Sequence, residues 1–331
     1  MSLRFVSSLN SPPFVAAAGV AVIAGLPFVE AAAASGTISL ALLKVLNLSA
    51  FAGNCAAVSV PGRIDEQQDD AMRKGALNPS KPGAPTESTR LKSGATTSGN
   101  VGGEYTEIYS PSRGRSLVSP SGWAFAIWGP IYLGEAVFVG GQFFSDTLAN
   151  VVPQVAPAFI AANIMQSLWC ASFRPSYSEG WKKYVSVGCL AGTAYSLLQI
   201  NAFAGSAEAA SLGWYFVPLS LHAGWTTAAT LVNLNGSVAM NDTIGERAII
   251  AVGHGSAITA TALGVGITMM QATPAYGFTV AWALAAVADG MSKRMGSLPE
   301  DGPLRQGATI QKTLCWVGSA ACAAASMSTF F

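Results

Sequence analysis

The chain has 331 residues, of which 51% are hydrophobic and 11% charged, with a net charge of +1. Soluble domains carry roughly 25% charged residues, so the composition excludes an ordinary soluble globular protein. The balanced charge lacks the electrostatic footprint of a nucleic-acid-binding protein.

Long apolar stretches run at 14–34, 37–60, 121–144, 154–173, 184–204, 212–235, 246–271, 275–292 and 309–330. About 20 helical residues cross ~30 Å of hydrocarbon, and most of these stretches reach that length. Barrel strands would be about half as long and alternating. Backbone groups in lipid must be satisfied internally, so the predicted fold is all-α, a polytopic membrane helix bundle.

The positive charges support this. The 61–120 connection holds Arg63, Arg73, Lys74, Lys81, Arg90, Lys92, Arg113 and Arg115. Arg174, Lys182 and Lys183 follow on the next-but-one connection, then Arg247, then Lys293, Arg294, Arg305 and Lys312. Connections 145–153, 205–211 and 272–274 and the C-terminal tail carry none. This is the positive-inside pattern, with the basic loops expected on a cytosolic, stromal or matrix side of an organellar (plastid or mitochondrial) or endomembrane system. Lys44 lies within a stretch, and with Asp289 is expected to snorkel or pair near a span end.

Residues 1–36 admit two readings. The sequence AAAAS after an apolar run resembles a cleavage site of a signal or transit segment. The same run is long enough to be a further transmembrane helix.

The 61–120 segment is rich in Pro, Gly, Ser, Thr and charge, as in NPSKPGAPTESTRLKSG. Such a composition cannot bury a core, so it reads as a solvated tether or as a lid over the bundle mouth.

In SPSGWAFAIWGPIYLGEAVF, Trp128 and Tyr132 are four apart and share a helix face, extended by Phe125. In NIMQSLWCASF, Gln166, Trp169 and Phe173 repeat the three–four spacing. In WYFVPLSLHAGWTTAATLVNLN, Trp225, Ala229 and Asn233 share a face, with Pro218 and His222 on the preceding turns. Core packing explains any one aromatic residue. Several that align with amide or hydroxyl groups also suit a pocket for flat apolar ligands. Trp123 and Trp214 fit interfacial anchors.

Glu135 is a carboxylate inside a predicted span, and such a group is by default a candidate for function. His222 and His254 have no nearby Cys or His, and the five cysteines form no CxxC pair, so no metal site is expected.

At these segments the chain resembles the tryptophan-rich sensory protein/translocator protein family (TspO/MBR). The family's second helix has a Pro-containing turn, a Trp, then Trp-x-x-x-Tyr, matched by Pro120, Trp123, Trp128 and Tyr132. Its third helix has an amide three before a Trp and a Phe four after it, matched by Gln166, Trp169 and Phe173, with Gln in place of the usual Asn. Trp181 stands where a Trp opens the fourth helix, and Pro218, Trp225 and Asn233 match the fifth, with Val232 in place of Leu.

The resemblance implies a five-helix core over 37–241, with 61–120 in the place of the family's ligand-covering loop and about three extra transmembrane helices in 242–331. It implies binding of porphyrin, haem or another tetrapyrrole, a sterol or a lipid-like molecule, for sensing or transport. No cofactor is required. Ligand contacts would come from Trp128, Tyr132, Gln166, Trp169, Trp181, Trp225 and Asn233, with Glu135 as a functional carboxylate.

The chain departs from the family pattern in three ways. Trp123 is one residue too close to Trp128, the fifth helix lacks a Tyr followed by a basic residue, and the extra helices have no family counterpart. The sequence offers no nucleophile–base pair, so an enzyme reading rests on the resemblance alone. Two alternatives stay open: an accessory subunit of an organellar membrane complex, and a small-molecule transporter. Partners in these readings are the bilayer, a hydrophobic small molecule, and a complex partner or second copy.

Overall fold

The computed structural model describes residues 11–59, 115–172, 177, 179–298 and 301–331. Most of the 61–120 segment, with the tether and lid readings attached to it, and Phe173 lie outside the described residues.

Nine α-helices and no strand occur among those residues: α1 Pro12–Ala34, α2 Leu40–Ser59, α3 Trp128–Gly141, α4 Asp146–Ala171, α5 Val185–Ala204, α6 Gly213–Ala239, α7 Glu246–Gln271, α8 Pro274–Arg294 and α9 Pro303–Ser328. Each corresponds to one predicted apolar stretch. Six elements are long and apolar enough to cross a membrane: α1, α2, 122–141, α4, 180–204 and α7. Helices α6, α8 and α9 have 27, 21 and 26 residues, so they are long enough as well. Their mean hydropathy is lowered by polar side chains turned inward, among them Ser220, Thr226, Asn235, Thr279 and Gln311.

Local chemistry sets the ends. Pro12 opens α1 at a position where its missing N–H costs nothing. Gly36 at φ +75° then turns the chain toward α2. Helix α4 starts earlier than predicted because Ser145 caps it, its side chain accepting from the Leu148 N–H at 3.3 Å. Pro153 and Pro157 lie inside α4 without ending it. The element after the long connection begins as a 3-10 helix, Gly122–Ile127, and becomes α-helical only at Trp128. Pro130 explains the switch: in an α-helix extended backward, its ring would clash with the carbonyl of Ala126. Arg305, expected in a connection, and Lys312, near the start of the 309–330 stretch, lie in the first turns of α9.

Helix α6 is the hub and packs against α3, α5, α7 and α8. Helices α1 and α2 both pack on α4, with α1 also on α5 and α2 on α3. Helices α7, α8 and α9 form a mutually packed group on the other side of α6. Small residues permit the close crossings, as expected where lipid supplies no hydrophobic drive between helices. A Cβ on Gly134 of α3 would overlap the Pro218 ring of α6, and one on Gly318 of α9 would overlap Thr261 of α7.

Side-chain contacts bring the basic ends together. Arg115 donates to the carbonyls of Ala239, Asn241 and Ile244 at 2.9, 3.0 and 3.1 Å, closing the end of α6. Arg294 donates to Ser116 O at 3.0 Å, and Ser237 donates to Lys183 O at 2.9 Å. At the opposite end Gln142 reaches Lys44 O, and Asn201 reaches Gln271 and Thr273. Lys44 also lies over the Phe143 ring at 5.8 Å, and Asp289 pairs with Lys293 at 2.6 Å. Residues 115–120, the described end of the polar connection, pack against the bundle. Ser116, Leu117 and Val118 are buried, and Ser121 N–H bonds to Ala286 O of α8 at 2.9 Å.

Candidate functional site: an aromatic cavity above a buried acid–base pair

A cavity with about 80 Å³ of internal space, part of it open to the outside, lies in the half of the bundle nearer the basic end. One wall is indole. Trp128 of α3, Trp169 of α4 and Trp225 of α6 all line it, with Phe125 from the 3-10 turn and Leu190 from α5. The opposite wall is built of small side chains: Ser256, Ala257 and Ala260 of α7, Ala283 of α8 and Cys315 of α9. The walls therefore come from both sides of residue 241, and the C-terminal helices complete the cavity. Val118 and Pro120 border it where the long connection returns to the bundle.

The predicted register of α6 holds. Trp225, Ala229 and Asn233 all face the cavity, and Asn233 is steadied by donating to Ala229 O at 3.1 Å. The predicted pair in α3 also holds. Trp128 and Tyr132 stack, with centroids 5.3 Å apart and planes 23° from parallel. Trp225 meets Phe125 edge to face at 5.6 Å and Trp128 at 6.1 Å. The indoles thus hold one another in place before any ligand arrives.

Tyr132 and Gln166 sit one layer behind this lining. Gln166 donates to Tyr132 Oη at 3.2 Å and accepts from Asn54 Nδ2 at 3.0 Å. Asn54 also donates to Asn163 Oδ1 at 3.1 Å, tying α2 to α4. Trp181 is separate from the group. It lies on the 3-10 turn Gly180–Tyr184, is 55% exposed, and stands beside Lys182 and Lys183. Trp123 lies outside the lining too, donating to Asp289 Oδ2 at 2.8 Å and packing edge to face on Trp282 at 4.6 Å.

Glu135 is fully buried, and its Oε1 shares a 2.6 Å hydrogen bond with His222 Nδ1. His222 packs edge to face on Trp128 at 5.5 Å, so the pair lies directly behind the cavity wall. Neither Glu135 Oε2 nor His222 Nε2 has a further partner among the described residues. Sequence reasoning passed over His222 because it looked for Cys or His neighbours. The available signal was different: an acid and an imidazole, each alone in an apolar helix, need each other. The described residues contain no cluster of three His, Cys, Asp or Glu side chains placed for a metal.

A bundle of membrane-length helices around an indole-walled hollow defines the class: an integral membrane protein. The family described as TSPO-like protein matches residues 93–324, most of the chain, and the chain belongs to that family. No curated protein and no solved structure matches it.

Proposed function

We propose that the cavity binds flat, largely apolar molecules, namely a tetrapyrrole such as porphyrin or haem, a sterol or a lipid-like compound, for sensing or transport. The observation that carries this is the convergence of Trp128, Trp169 and Trp225 on one hollow. Each aromatic contact adds about 1 kcal/mol beyond area burial, and indole faces complement planar rings. Tyr132 and Gln166 hold Trp128 from behind, and Asn233 meets a polar edge of the ligand. In this reading Trp181 does not touch ligand. With Lys182 and Lys183 it anchors the bundle at the headgroup level. The basic end faces the cytosol, stroma or matrix of an organellar or endomembrane system.

The test is titration of protoporphyrin IX into purified protein in lipid nanodiscs, following tryptophan fluorescence. Saturable quenching that Trp225→Ala weakens is expected. Quenching that rises without saturation, as in empty nanodiscs, sinks the reading.

The Glu135–His222 pair supports transport over passive sensing, because intramembrane acid–base pairs recur where protons accompany a substrate. Proteoliposome uptake of the porphyrin that a pH gradient drives, and that Glu135→Gln abolishes, is the expected result. Uptake no greater than in protein-free liposomes would leave sensing.

A further inference from the structure

The wall facing the indoles carries an unspent polar pair. Gln311 of α9 is fully buried and is one of the residues bordering the cavity. Its Nε2 makes only a long 3.5 Å contact to Cys315 Sγ, and its Oε1 has no hydrogen-bond partner among the described residues. That oxygen lies beside Gly253 of α7, where an added Cβ would come within 3.4 Å of it. Ser256, one turn further along α7, also lines the cavity. Its Oγ accepts from Asn235 Nδ2 at 2.7 Å, which orients the hydroxyl and leaves its proton to donate. One helix therefore offers an acceptor and its neighbour a donor, a turn apart, in an otherwise apolar wall.

A buried amide oxygen left unbonded costs more than most polar contacts gain. Such a group in a cavity wall is explained when the occupant supplies its partner. We propose that Gln311 and Ser256 select, among flat apolar ligands, those bearing one edge group that both donates and accepts a hydrogen bond: a hydroxyl, a lactam or a pyrrole-type N–H beside a carbonyl. The ligand's O–H or N–H gives its proton to Gln311 Oε1, and its oxygen takes the Ser256 proton. This rests on the aromatic-cavity reading and adds polarity and orientation to it. The indoles hold the ring face, and α7 and α9 read one edge. It also gives the C-terminal helices a role in specificity.

The test uses two probes of nearly equal shape, 1-pyrenemethanol and 1-ethylpyrene. Energy transfer from protein tryptophan to each is titrated in nanodiscs, with partition into protein-free discs subtracted. The wild-type protein should bind the alcohol roughly tenfold more tightly, the scale of one or two net hydrogen bonds. Gln311→Leu should erase the preference without weakening 1-ethylpyrene. Ser256→Ala, which barely alters volume, should reduce it and carries the test if the leucine variant does not assemble. Equal binding of the two probes by the wild type overturns this inference and leaves the aromatic cavity standing. A preference unchanged in both variants also overturns it. Failure of both probes to bind saturably overturns the inference together with the cavity reading beneath it.

Discussion

Glu135 and His222 meet at 2.6 Å across the α3–α6 interface, 0% and 1% exposed, within a bundle built to sit in hydrocarbon. An isolated charge there is expensive, so each residue makes the other tolerable. The contact also fixes the relative depth of α3 and α6, and with it the positions of Trp128 and Trp225.

Breaking that contact from one side leaves a buried polar group uncompensated. Glu135→Ala and His222→Ala are each expected to destabilise the protein by about 3–5 kcal/mol. The double variant should cost clearly less than the sum of the two. Thermal unfolding in detergent, followed by circular dichroism, checks this; strictly additive losses would show that the pair is not coupled.

Gly134 lets α3 approach Pro218 of α6 with no room for a methyl group. Gly134→Ala should therefore cost about 1–3 kcal/mol, the usual scale of overpacking. Pro218→Ala in the same chain should recover part of that loss. A neutral Gly134→Ala would mean that the helices cross further apart.

Ala272, between α7 and α8, is held at φ +51°, a left-handed conformation that a Cβ disfavours. Ala272→Gly should stabilise by up to about 1 kcal/mol, because relief of strain outweighs the entropy glycine adds to the unfolded chain. A lowered melting temperature would contradict this.

The tryptophans should separate by place. Trp169→Ala should weaken porphyrin binding on the scale of one lost aromatic contact, about 1 kcal/mol or several-fold in Kd. Trp181→Ala, at a half-exposed site, should leave Kd unchanged and alter reconstitution into bilayers instead. Equal losses of affinity would place Trp181 in the ligand site.

Asn54 spans Asn163 and Gln166 from α2. Asn54→Leu should strand two buried acceptors and cost about 1–3 kcal/mol. Loss of a cross-link between cysteines engineered into α2 and α4 would show where the helices part.

Much of this architecture was legible in the residue order. All nine helices could be located because a membrane demands long apolar runs, and the alternation of Lys and Arg matched the clustering of Arg115, Lys183 and Arg294 at one end. The stacking of Trp128 on Tyr132 and the shared face of Trp225, Ala229 and Asn233 followed from helical periodicity, which is local. Partners between distant helices were another matter. A lone acid and a lone imidazole in apolar helices hint at a pair, but the sequence does not set Glu135 against His222, 87 positions away, or Asn54 against Gln166, because such contacts depend on how two rods rotate and slide against each other. Trp181 entered the expected ligand set through the family resemblance alone, without the helical spacing that marks Trp169, and a short 3-10 turn leaves it outside the bundle. The reach of α7 and α9 into the cavity was equally hidden, since small residues mark close packing without naming the neighbour. The sequence by itself determined that this chain is a membrane helix bundle of this family with aromatic stripes on three helices. Only the tertiary structure decided that those stripes close on one hollow, and which polar groups stand behind and across from them, because side-chain direction is set locally while its partner is set by packing.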